Sequence, residues 1–157
     1  MEDTYEGMLF TYGITCLENR LYRGKIRKED YDKAMDYWNK GKTPSSEFIS
    51  KILPFADEKI TEKTPEAVER YFLEQHNSII DKKEGEYANM PDILCESCKV
   101  LIGDVVKIEN FKEIPYPVYR IKYKSHEDIA VGKFFRDVKV GDRVITHNKA
   151  IVKKIKK

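Results

Sequence analysis

Val138-Lys139-Val140-Gly141-Asp142-Arg143-Val144-Ile145, continued by Thr146-His147-Asn148-Lys149 and then Ala150-Ile151-Val152, is the stretch whose reading decides the fold. Gly-Asp is a turn pair and a β-branched run follows it, so the segment reads as a turn leading into short strands, the second at Ala150-Ile151-Val152. Working back along the chain, Val118 to Lys124 alternates Tyr119, Ile121 and Tyr123 with Arg120, Lys122 and Lys124, the period of two that gives a strand one apolar and one charged face. Leu101 to Glu109 carries Gly103 and then Val105-Val106-Lys107-Ile108, and Ile129-Ala130-Val131 with Phe134-Phe135 supplies a third strand. Strands this short, left in an open sheet, would expose unpaired edges. Curling them into a small five-stranded barrel of OB- or SH3-like type removes those edges.

Upstream, the apolar period changes to that of a helix. Tyr5, Met8, Leu9, Tyr12, Cys16 and Leu17 predict an amphipathic helix running to about Arg23, with Gly24 placed to end it. A second helix over Lys28 to Asn39, with Tyr31, Ala34, Met35 and Trp38 on one face, completes a helical hairpin. Thr43-Pro44 is read as the start of a third helix with Phe48, Ile49, Ile52 and Leu53 inward, and Pro54 as the bar to its continuation. Thr64-Pro65-Glu66 repeats the start signal for a fourth, with Val68, Phe72, His76 and Ile79 inward. Asp81 to Pro91 is polar and holds both Gly and Pro, as connections do. The expected organisation is α+β: a helical hairpin or small helical bundle over residues 1–85, a linker over 86–92 and the small β-barrel over 93–157.

The net charge of +2 conceals a division. Met1 to Asp92 holds 14 basic and 19 acidic residues, whereas Ile93 to Lys157 holds 15 basic and 8 acidic, a net −5 against +7. Such asymmetry fits either an acidic partner for the basic half or two halves that attract one another. No apolar run approaches the ~20 residues of a membrane span, and Met1-Glu2-Asp3 lacks the basic start of a secretion signal, so a cytoplasmic protein with no membrane partner is expected. The chain has no Gly-rich phosphate loop, nucleophile elbow or HExxH motif, and it is read as a binding protein, not an enzyme.

The sharpest local motif is Cys95-Glu96-Ser97-Cys98. Two thiols at this spacing can chelate a metal, cycle through a disulfide, or simply stand as passive thiols. A structural zinc site wants four ligands, and Cys16, His76, His126 and His147 are what remains to complete it. His76 lies on an apolar helix face and is read as a hydrogen-bonded core histidine, and His126 as a solvated loop residue.

Cys98-Lys99-Val100-Leu101-Ile102-Gly103-Asp104-Val105, with the later Val140-Gly141-Asp142-Arg143-Val144-Ile145-Thr146-His147 and Ala150-Ile151-Val152, resembles the hydrogenase assembly chaperone family. In that family a cysteine, four residues, a glycine and a strand open the barrel, and a Val-Gly-Asp turn leads into a strand ending in histidine. The resemblance implies an OB-like accessory protein that hands an iron centre to a hydrogenase large subunit alongside a larger iron–sulfur partner. It marks Cys98 and His147, with Cys95 beside them, as candidate metal ligands for iron or zinc. The family's cysteine follows the initiating methionine, whereas Cys98 is internal, and Asn148-Lys149 replaces its Gly-Phe. The order of helical hairpin and then barrel is also similar to the barrel-bearing subunit of nitrile hydratase.

A nucleic-acid-binding barrel is the alternative expectation. Lys107, Arg120, Lys122, Lys124 and Arg143 supply the candidate binding charge, and Tyr116, Tyr119, Tyr123, Phe134 and Phe135 the rings on which bases would stack. A third reading is a structural or interaction protein whose cysteines are passive.

Overall fold

The computed structural model describes residues 1–156 and divides the chain into two compact units, Met1–Met90 and Pro91–Lys157. The first is helical. Thr4 caps helix α1 (Tyr5–Gly13), its hydroxyl accepting from the Gly7 N–H, and a 3-10 turn over Ile14–Cys16 separates α1 from α2 (Leu17–Tyr22). The single helix expected to Arg23 is therefore interrupted. Gly24, at φ +68°, ends it: its N–H bonds the Leu21 carbonyl and that of Lys25 the Arg20 carbonyl, the left-handed closure that glycine permits.

Helix α3 keeps its expected bounds, Lys28–Asn39, with Ala34 buried and Trp38 edge-on to Phe10 at 5.8 Å. Two start signals differ from the sequence reading. Helix α4 (Ser46–Ile52) is capped by Ser45, not Thr43, because Ser45 holds the extended backbone that lets its hydroxyl accept from the Phe48 N–H. Pro54 follows the end of α4 at Ile52 and Leu53, as expected, but it also opens a further helix, α5 (Pro54–Lys59), where its missing N–H would have had no helical partner anyway. Thr64 caps α6 (Pro65–Arg70) as expected, its hydroxyl accepting from Ala67 N–H. A π-helical turn, Tyr71–Gln75, then leads into α7 (His76–Asp81). Val68, Phe72, His76 and Ile79 are all buried, and Tyr12 stacks on Phe72 at 4.7 Å. His76 is a core histidine whose Nε2 lies 3.3 Å from the Tyr87 hydroxyl. Tyr87, within the expected linker, ends a 3-10 turn (Gly85–Tyr87) and packs edge-on to Phe55, so this stretch feeds the helical core.

The second unit opens with a helix the sequence reading lacked, α8 (Asp92–Ser97), and then builds five strands: β1 (Val100–Glu109), β2 (Val118–Lys122), β3 (Glu127–Val131), β4 (Arg143–His147) and β5 (Ala150–Lys154). They close into a barrel in the order β1-β2-β3-β5-β4. With β1 joined antiparallel to both β2 and β4, and β3 parallel to β5, the order is the OB-like one of the two expected types. Phe134-Phe135 is not strand. Gly141-Asp142 makes the expected turn before β4: Gly141 sits at φ +90°, Asp142 accepts from the Lys139 N–H, and Gly141 N–H and Val105 N–H tie the turn to β1. Val105, Tyr119, Ile121, Tyr123, Ala130, Val138, Val144 and Ile151 fill the barrel. Alternation along β2 does what its sequence demanded: Tyr119 and Ile121 inward, Arg120 and Lys122 outward.

Closure is thin at one place. The β3–β5 ladder is the Val131↔Ala150 pair, with Val131 N–H donating to the Lys149 carbonyl at 2.9 Å. Lys149 and Asn148 form the two-residue β4–β5 turn, both at positive φ (56° and 50°), the mirror-image turn whose twist matches a hairpin.

Candidate functional site

The sequence nominated three metal-type side chains, and the barrel end holds them all. Cys95 lies on α8, Cys98 closes that helix, and His147 ends β4 opposite Val100, the first residue of β1. Cys98 is thereby carried to the β4–β5 turn, where its Sγ lies 3.8 Å from Asn148 Oδ1. The pair does not fit a site that hands a metal fragment to a partner. Cys98 is 3% exposed and His147 1%, and transfer requires a sulfur that the incoming ligand can reach. Among the described residues no three His, Cys, Asp or Glu side chains group as a metal set.

The nominated cations are exposed but embedded among carboxylates. Lys107 bonds Glu109 at 2.7 Å and Arg143 reaches Asp104 at 3.4 Å. Lys122 sits in register between Asp104 on β1 and Glu127 on β3, and Arg120 lies opposite Lys107 on one side and Ile129 on the other. The Glu109 carboxyl is held below the ordinary range, first by the Lys107 hydrogen bond and also by the charge of Arg120. Lys124 follows β2 in the exposed turn before His126. Of the five rings that might have stacked bases, two are committed to the barrel: Tyr119 donates to the Arg136 carbonyl at 3.1 Å, and the Tyr123 hydroxyl sits 2.9 Å from Thr146 Oγ1; Tyr116, Phe134 and Phe135 are half-buried. A phosphate track wants a continuous basic stripe beside exposed aromatics, and on this face Glu109, Asp104 and Glu127 break the stripe.

What the sequence reading missed is a cleft of about 590 Å³ between α8, the β4–β5 turn and the edge of β3. Leu94, Leu101, Tyr123, Ile93 and Ile129 give it apolar walls. Ile93 is 79% exposed and Ile129 46%, so two large aliphatic side chains stand at its lips in contact with water. The rim is polar: Lys99 pairs with Glu96 at 2.9 Å, and Lys149 with Asp128 at 2.8 Å. His126 tilts against Tyr123, with ring centroids 5.1 Å apart, and its Nδ1 lies 3.0 Å from Ser125 Oγ. Burial alone would raise the pKa of Asp128, but the hydrogen bonds from Lys149 and the Ile129 N–H and the nearby charges of Lys149 and His126 outweigh it and hold the carboxyl below its ordinary value. Burial pushes the Tyr123 phenol up, with Asp128 adding to it and Thr146 opposing.

Two signals for this cleft were present in the chain. Asn148-Lys149 between strands is a candidate two-residue hairpin turn, and Pro91-Asp92 before Ile93-Leu94 is a helix start. Among the described residues no helix is long and apolar enough to cross a membrane. Comparison of the chain with protein-family models, with curated proteins and with solved structures finds no match.

Proposed function

We propose that this chain is an accessory, non-catalytic binding protein that docks on a protein partner through the cleft at the end of its barrel. The carrying observation is the pair of exposed isoleucines, Ile93 and Ile129, flanking an apolar cleft with a satisfied polar rim. Keeping such side chains in water costs about 25 cal/mol per Å² of apolar surface, a cost that covering them removes. An apolar centre inside a polar rim is also how protein interfaces are built. The resemblance of the barrel segments to hydrogenase assembly chaperones names the first partner to try, a hydrogenase large subunit, with docking and not metal carriage as the proposed contribution. Nucleic-acid binding has less support, because Lys122 stands in register between Asp104 and Glu127, and Lys107 and Arg143 pair with Glu109 and Asp104.

The test compares wild type with Ile93→Lys, whose exposed position makes the change harmless to folding. Tagged protein is recovered from its host, co-purifying proteins are quantified, and the leading one is purified and titrated calorimetrically. The reading expects an affinity loss of about tenfold or more, a typical cost for a central interface residue. Equal affinity for both proteins, or retention of single-stranded RNA that vanishes with added salt, would overturn it.

A further inference from the structure

We infer that the cleft receives its partner as an extended peptide that adds as a strand to the open edge of β3. The inference rests on the protein-docking reading above and specifies the form of the docked segment. Three observations carry it.

The first is the ladder. Val131 N–H points to Lys149 across the closure. Alternation along the strand sends the N–H and C=O groups of Ile129 and Glu127 to that same side. Beyond Val131↔Ala150, β5 does not pair with them. The edge of β3 from Glu127 to Ile129 thus presents main-chain donors and acceptors at the spacing an added strand would match.

The second is where the cleft runs. Successive strand residues point to opposite faces, yet Asp128 and Ile129 both line it. It therefore follows the edge of β3 itself, not one face of the sheet. Helix α8 and Lys149 wall the other sides, so the space beside the edge is a slot with an apolar floor.

The third is how the edge is covered. Asp128 folds its carboxylate back so that Oδ1 accepts the Ile129 N–H at 2.8 Å, while Oδ2 takes Lys149. A charged side chain laid over an edge N–H is a device that blocks casual strand pairing. Here it is reversible. An incoming carbonyl can replace Asp128 at the Ile129 N–H, and the displaced carboxylate keeps Lys149. An apolar side chain of the added strand then lies against Leu94, Leu101 and Tyr123, with Ile93 and Ile129 closing over it.

The test uses the full chain. A phage-displayed library of linear decapeptides is panned on it, and the leading peptide is resynthesised with a fluorophore for anisotropy. Three results are expected. N-methylation at alternate peptide residues removes binding, whereas the intervening positions tolerate it. Ile129→Pro, which deletes an edge donor that the β2–β3 pairing does not use, weakens binding about tenfold or more while the melting curve shows the barrel intact. Asp128→Ala, which takes away the competing acceptor, strengthens binding by about threefold or more.

Failure to select any peptide overturns strand addition, as does a peptide indifferent to N-methylation or one bound as a helix. Should Ile93→Lys still weaken the purified protein partner in those cases, docking at the cleft stands and only its mode falls. If Ile129→Pro proves misfolded, Asp128→Ala and the N-methyl series decide alone. A concentration-dependent dimer that Asp128→Ala strengthens overturns the partner peptide in favour of a second copy.

Discussion

Gly103 occupies β1 opposite Val144, and β2 crosses so close to it that the strand has no room for a side chain. A Cβ built there would lie 2.5 Å from Ile121 Cγ2, 2.8 Å from the Lys122 carbonyl oxygen and 2.8 Å from Tyr123 Cδ1. Non-bonded carbons settle at about 3.5–4.0 Å, so Gly103→Ala requires a displacement of roughly 1 Å. Neither neighbour yields easily. Ile121 is fully buried, and the Lys122 oxygen is backbone in register with Asp104. Overpacking of this kind costs about 1–3 kcal/mol, and the backbone contact places Gly103→Ala toward the upper end. Amide hydrogen exchange across β1 and β2 reads the barrel directly, whether or not the two units unfold together. Ile121→Ala alone opens a cavity at about 2–5 kcal/mol, but it also makes room for the new methyl. The double variant should therefore lose about 1 kcal/mol less than the two single losses combined. Unchanged exchange in Gly103→Ala, or strict additivity in the double variant, would refute the claim that β2 is packed against that glycine.

Three further outcomes are expected. Thr64→Ala removes the hydroxyl that accepts from Ala67 N–H and should destabilise the helical unit by about 1 kcal/mol in urea unfolding followed by Trp38 fluorescence, with Thr64→Ser recovering most of it. Lys149→Gly replaces a side chain held at φ 56° with the residue that turn prefers; relief of about 1 kcal/mol of backbone strain should exceed the loss of the half-exposed bridge to Asp128, slowing amide exchange in β4 and β5, and faster exchange would contradict it. Asp57 sets an acid limit for the helical unit. Burial tends to raise its pKa, but hydrogen bonds from Ser50, Tyr5 and Lys63 and the charge of Lys63 lower it further than burial raises it. The folded chain thus holds that proton less tightly than the unfolded one, so the contribution is complete above the ordinary carboxylate value of about 4 and is lost as pH falls below it. Asp57→Asn should flatten this part of the stability curve, and identical acid losses in the two proteins would remove Asp57 from the account.

Periodicity was enough for the architecture, because a period of two and a period of 3.6 are properties of local sequence. Tyr119, Ile121 and Tyr123 could only go inward once Arg120 and Lys122 went out, and Gly24 could only be a helix end. Turn and cap chemistry was legible to within a residue or two. Ser45 displaced Thr43 as a cap and Pro54 opened a helix, since both choices turn on backbone angles that neighbouring helices impose. Val138-Lys139-Val140 has the composition of a strand, yet Val138 N–H bonds the Arg136 carbonyl and Lys139 N–H the Asp142 carboxylate, while it is Gly141 and Asp142 that pair with Val105.

The candidate site was mostly hidden. Cys98 and His147 stand out as residue types, and nothing in their spacing shows that the fold buries both. Lys107, Arg120, Lys122 and Arg143 read as a basic stripe until cross-strand register sets Glu109, Asp104 and Glu127 among them. The residues that make the cleft come from α8, β3 and the β4–β5 turn, and each is ordinary in its own segment. By itself, then, the chain determined a helical unit followed by a small barrel, because hydrophobic alternation and turn residues act over a few positions. Only tertiary structure decided that the barrel closes between β3 and β5 at Val131↔Ala150 and leaves the edge of β3 open beside exposed isoleucines, because strand register and closure depend on residues far apart in the chain meeting in space.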